Sequence, residues 1–280
     1  MNYIGISAGI TLCLIRVFRS IGYKKSSYIL KEKDISDMTS LWMLFGIMVS
    51  LPFFIHKITI DISIIYYIIS ILKGVGIWIA IYLNQKVISK SLSSSVFSRF
   101  IKTGIGTSIN FFILKESLSM HSVIGIISIA IISSTFFIYG HFKELNKKTK
   151  IIFFICLLIN SLFMVSDQIV IPNTNWYFQL FFSTLGFIIP SILNKPNFKT
   201  CKLYLTNKWL IITGLNWVLG EFFLLFVMAY VLPVSIAVFC CELSIPILLL
   251  ISNKSYNEST MKRQLIFSGL TLIISIFSIL

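Results

Sequence analysis

Continuous apolar runs, each about 15 to 20 residues long, recur along the whole chain, and they constrain the fold more than any motif does. In lipid, every backbone N–H and C=O must be satisfied inside the protein. Only helices and closed barrels achieve this. The runs do not alternate polar with apolar, so barrel strands are excluded. With 12% charged residues and a mean hydropathy of +0.90, the 280-residue chain lacks the charge that a soluble surface of this size needs. The expected fold is an all-α polytopic membrane protein with ten transmembrane helices. The expected spans are 3–19, 40–56, 63–83, 92–113, 122–140, 151–170, 176–194, 209–230, 233–252 and 264–280. The segments between them are short, and a polar stretch at 20–39 is the longest.

The formal charge of +14 does not point to nucleic acid, because the bases sit in short loops beside apolar runs. The expected surroundings are the lipid bilayer of the plasma (inner) membrane. All loop bases, with Arg19 at the end of the first span counted among them, fall in odd-numbered loops except Lys57 and Lys115. The positive-inside rule then places those loops in the cytoplasm and both termini outside. The N-terminal run lacks a basic leader and a cleavage site, so it reads as a retained span. Cys13, Cys156, Cys201, Cys240 and Cys241 form no C-x-x-C pair and read as packing residues.

The stretch Ser91 to Asn110 is long enough to span the membrane yet carries two charges. Ser95, Arg99, Lys102, Gly106 and Asn110 follow at steps of four, three, four and four, which puts them on one helix face. A charge at the bilayer centre costs roughly 2.5 to 3.5 kcal/mol on insertion scales. This face therefore needs partners, water or a ligand, and is expected to line a polar cavity.

The chain also resembles itself. The segment beginning G-V-G-I-W-I-A at Gly74 matches the one beginning G-L-N-W-V-L-G at Gly214, without gaps. The register pairs Ser95 with Ser235 and Lys102 with Glu242. Pro52 with Pro190, and Gly125 with Gly269, keep the same order. The expected units are a first five-helix repeat at 1–145 and a second at 146–280. Five spans is an odd number, so the halves are expected to be inverted, with a site at their interface.

The stretch from Ser91 to Ser133 resembles the drug/metabolite transporter superfamily, specifically the EamA-type ten-span permeases. Glu116 fills the place of the family's glutamate after a span, and Ile124 and Gly125 open the next span. The second half repeats this loosely from Leu232 to Ser252, with Pro246 as the mid-span proline, then Glu258 and Gly269. The first half departs from the pattern, having Gly104 and Gly106 where the proline is expected. The resemblance implies a transporter with both termini inside, against the charge rule. Arg99 and Lys102 are not general family features, so the resemblance leaves the substrate open.

The expected substrate-binding residues are Arg99, Lys102, Glu242, Trp78, Asn110, Asn216 and Trp217. Glu221, one turn after Trp217, is the expected proton-coupling residue, its alternative reading being a plain ion pair with Lys73. Lys102 and Glu242 have two readings: binding of a substrate's charged groups, or an ion pair holding the halves together. Asp167 reads as a span-end cap. Neither catalytic, nucleotide-binding nor metal-ligand motifs occur, so neither an enzyme nor a cofactor is expected. The expected function is secondary transport of a small polar metabolite, an amino acid or related compound, in or out by alternating access. The alternative is a non-transporting subunit that scaffolds or regulates a partner. Ten spans can enclose a cavity alone, so a monomer is expected.

Overall fold

A computed structural model describes residues 3–56, 62–88, 92–140, 146–194, 198–256, 266–271 and 273–274. Helices α1 to α5 are Tyr3–Ser26, Glu32–His56, Ile64–Ile88, Leu92–Phe112 and Met120–Gly140. Helices α6 to α9 are Lys147–Val170, Trp176–Leu193, Phe198–Thr206 and Lys208–Tyr230. Then come α10, Val234–Glu242, and α11, Ser244–Tyr256. A 3-10 turn at Ile171–Asn173 joins α6 to α7. Glu258 and most of the expected last span lie outside the described residues.

Among the described residues, seven stretches are long and apolar enough to cross a membrane: Tyr3–Ser26, Glu32–Phe53, Ile64–Val87, Lys147–Asn173, Trp176–Leu193, Lys208–Tyr230 and Val234–Ile251. Helix α5 is apolar over the shorter stretch Met120–Thr135. Helix α4 has 21 residues, about 31 Å of helix, but its serines, Arg99 and Lys102 lower its hydropathy. The architecture is that of a multi-pass helical membrane protein. Its outside is apolar, with Ile10, Leu14, Phe18, Ile68, Leu72, Leu158 and Leu219 all exposed. Several charged side chains lie inside: Arg19, Lys73, Asp167, Glu221 and Glu242 are all buried. A soluble protein reverses this distribution.

Two extents differ from those read in the sequence. Helix α1 continues to Ser26, so the polar stretch 20–39 shrinks to a tight connection before Glu32. The connection after α7 holds a short helix, α8, anchored by the fully buried Tyr204. All five cysteines are free thiols.

Local chemistry explains several helix ends. The Asn146 side chain accepts a hydrogen bond from Thr149 N at 2.8 Å and starts α6. Asn207 does the same for α9 through Trp209 N at 3.0 Å. The start of α10 is capped from the other half of the chain. The Glu116 carboxylate, on the turn after α4, accepts from Ser235 N at 2.9 Å and from the Ser235 hydroxyl. An anion there also suits the positive end of the helix dipole.

Close packing places the helices around the centre. Helices α3 and α7 meet backbone to backbone. A Cβ on Gly74 would strike the Ser183 carbonyl, and one on Gly186 would strike the Ile71 carbonyl. Small residues permit such an approach, as is common between helices in membranes. Gly214 leaves room for the Trp42 indole, and Gly106 for Met164. Helix α1 packs on α9, α10 and α11, while α6 packs on α3 and α4.

Helix α10 stops at Glu242 and α11 resumes at Ser244, so the ninth expected span, one apolar stretch over Val234–Ile251, is broken only at Leu243. Pro246 accounts for the interruption, because it has no N–H to give the Glu242 carbonyl four residues earlier. Leu243 N keeps the usual helical bond to the Phe239 carbonyl at 3.2 Å and shares it with the Cys240 carbonyl at 3.3 Å.

Candidate functional site

The bundle holds a cavity of about 130 Å³. Six helices supply its charged wall, three from each half of the chain. Helix α1 supplies Arg16 and Arg19, α3 Lys73, and α4 Arg99 and Lys102. Helix α6 supplies Asp167, α9 Glu221, and α10 Glu242. The basic groups thus all come from the first half and the acidic groups all from the second.

At one side, Glu242 lies between two cations. Lys102 Nζ is 3.1 Å from its Oε1 and Arg16 Nη2 is 3.5 Å from the same atom. The Glu242 side chain is fully buried, and neither oxygen receives a hydrogen bond of good geometry. Charge alone holds it there. Arg99 stands on the same face of α4 as Lys102. It is 6% exposed, and its Nη1 is buried with no hydrogen-bond partner. Among the described residues no carboxylate comes within ion-pairing distance of it.

At the other side, Glu221 lies 3.7 Å from Arg19 Nη1 and 3.8 Å from Lys73 Nζ. Lys73 also binds Asp167 Oδ1 at 2.6 Å, and Gln179 Nε2 donates to that oxygen at 2.8 Å. Arg19 stacks on the Trp217 ring, 3.9 Å from its centroid, and donates to the Asn216 and Trp217 carbonyls. Gly220 makes this possible, since a Cβ there would strike the Arg19 guanidinium.

Of the residues expected at the site, Arg99, Lys102, Trp217, Glu221 and Glu242 all face the cavity. Lys102 and Glu242, aligned as repeat mates, touch. Trp78, Asn110 and Asn216 lie off the cavity lining. The Asn216 amide donates to the Ile212 carbonyl of its own helix at 2.9 Å. Asn110 is fully buried against Ser235 Oγ at 3.4 Å, beside the Glu116 cap. The Trp78 indole N–H donates to Asp37 Oδ1 at 3.2 Å and to Ser191 Oγ at 3.1 Å. It belongs to a polar cluster that also includes Asn194. Trp78→Phe is therefore expected to cost about 1 kcal/mol of stability, because Asp37 keeps its other donors. It should leave ligand affinity unchanged. Thermal unfolding beside a binding titration checks both; weakened binding would return Trp78 to the site.

Sequence reasoning missed Arg19 and Asp167 as cavity residues. Arg19 read as a loop base, but α1 carries it two turns into the bundle before ending at Ser26. Asp167 read as a span-end cap, but its carboxylate is turned inward to Lys73. Among the described residues, no group of three His, Cys, Asp or Glu could hold a metal ion. No protein-family model matches the chain. No curated protein matches it either.

Proposed function

We propose that the protein is a secondary transporter of the EamA-type permease kind, with ten spans in two inverted repeats. It carries a small polar metabolite, amino acids and related compounds being the class first suggested by the sequence, across the plasma (inner) membrane by alternating access. One observation carries this reading: a charged cavity built by three helices from each half, beside a one-residue break in the helix after Glu242. Interrupted helices at the interface of two repeats are where secondary transporters bind substrate. Intramembrane ionisable groups default to such roles. The reciprocal packing supports the repeat: α1 lies against α9, α10 and α11 as α6 lies against α3 and α4.

In this reading Glu221, set between Arg19 and Lys73, couples substrate movement to protons. The test is uptake and counterflow in proteoliposomes with a panel of labelled small metabolites. Saturable uptake of one member driven by a pH gradient is the expected result, with Glu221→Gln keeping counterflow but losing the response to the gradient. Reconstituted protein that moves no member of the panel would favour the non-transporting subunit.

A further inference from the structure

We propose that the cavity binds a compact dianion, carrying two carboxylates or one phosphate, with the Arg99 guanidinium as its anchor. The inference deepens the transporter reading, but its binding step does not depend on movement. Three observations carry it.

The first is charge. Five basic and three acidic side chains line the cavity, so two positive charges are in excess among the described residues. Buried charge without compensation is costly, and a ligand of opposite sign relieves it. The second is occupancy of the acids. Glu242 is flanked by Lys102 and Arg16, Glu221 by Arg19 and Lys73, and Asp167 by Lys73 and Gln179. Among the described residues each of these carboxylates already has a cation within 4 Å, so none offers an uncompensated charge to a substrate ammonium, although both Glu242 oxygens lack a hydrogen-bond partner. Arg99, by contrast, is buried in the wall with Nη1 unpartnered. A guanidinium presents a planar fork that matches carboxylate or phosphate oxygens in pairs. Lys102, one turn away on the same face, supplies the second cation.

The third is size. A cavity of about 150 Å³ holds a molecule like benzene, and this one is about 130 Å³. Malonate and inorganic phosphate fall in that range. The layout also fits movement between states. All the cations stand on the first half, so parting the halves takes the acids away and leaves one basic wall for the anion.

The experiment is thermal unfolding and calorimetric titration of the detergent-purified full chain with malonate, inorganic phosphate, acetate and glycine. Malonate or phosphate should raise the unfolding midpoint saturably, and which of the two does so identifies carboxylate or phosphate as the recognised group. Arg99→Gln should weaken that binding at least about tenfold, the effect of losing a charged hydrogen bond. Arg99→Lys keeps the charge and loses the fork. It should narrow the preference for malonate over acetate, and serves if Arg99→Gln does not fold. Stabilisation by glycine equal to that by malonate overturns the inference. So does no response to any probe at millimolar concentration, or unchanged malonate and phosphate binding in both Arg99 variants. Proteoliposome uptake separates the two readings. An anion that binds but is not moved sinks transport and leaves this inference standing. Uptake of a neutral amino acid without anion binding does the reverse.

Discussion

Glu242→Gln is expected to lower the stability of the solubilised protein by roughly 3 to 5 kcal/mol and to abolish transport. The carboxylate is fully buried, with Lys102 and Arg16 both within 3.5 Å of it. Removing its charge leaves those two cations facing each other beside Arg99 with no carboxylate between them. The effect on stability and the effect on function separate in a second variant. Replacing a buried ion pair by apolar residues of similar size is often neutral or stabilising. The double change Lys102→Met with Glu242→Leu should therefore regain much of the lost stability and still fail to transport. Unfolding midpoints and vesicle uptake measured on both proteins decide it. A Glu242→Gln protein that melts with the wild type and transports normally would remove Glu242 from the site.

The next largest effect is expected from Gly186→Val. The obstacle to a side chain there is the Ile71 carbonyl of the facing helix, which cannot swing aside as a side chain does. Helices α3 and α7 would have to separate, carrying Lys73 with them. Overpacking typically costs about 1 to 3 kcal/mol, and backbone resistance puts this site at or above the upper end. Loss of the monodisperse species in detergent, or a clearly lowered midpoint, is the expected outcome. A variant that behaves as wild type would mean that α3 and α7 do not approach as closely as described.

The polar face of α4 was legible in the sequence because a helical period and two charges in an apolar run are local signals. The meeting of Lys102 with Glu242 was legible through the internal alignment, which paired residues far apart in the chain. Arg19 was not, because a hydropathy window ends where bases accumulate. The carboxylate and indole that accommodate Arg19 lie about 200 residues away, on α9. Asp167 failed for the same reason: a polar residue near a span end looks like a cap until Lys73 is seen opposite it. Trp78 was assigned to the cavity by its type and position in a span. Its indole N–H instead found Asp37 and Ser191, partners set by tertiary packing. The interruption after Glu242 was half visible, since Pro246 marked the place but hydropathy alone ran the span straight through.

The division of charge between the halves bears on how such a chain is made. Synthesis delivers the N-terminal half first, and with it every basic group of the cavity wall. Until α6, α9 and α10 follow, those bases have none of the carboxylates that neutralise them in the finished bundle. The early helices thus cannot settle into lipid as a finished unit. They must wait at the interface, in the insertion machinery, or with water around them. The later half completes them much as a second subunit completes a heterodimer, with the joining loop ensuring that the right partner arrives.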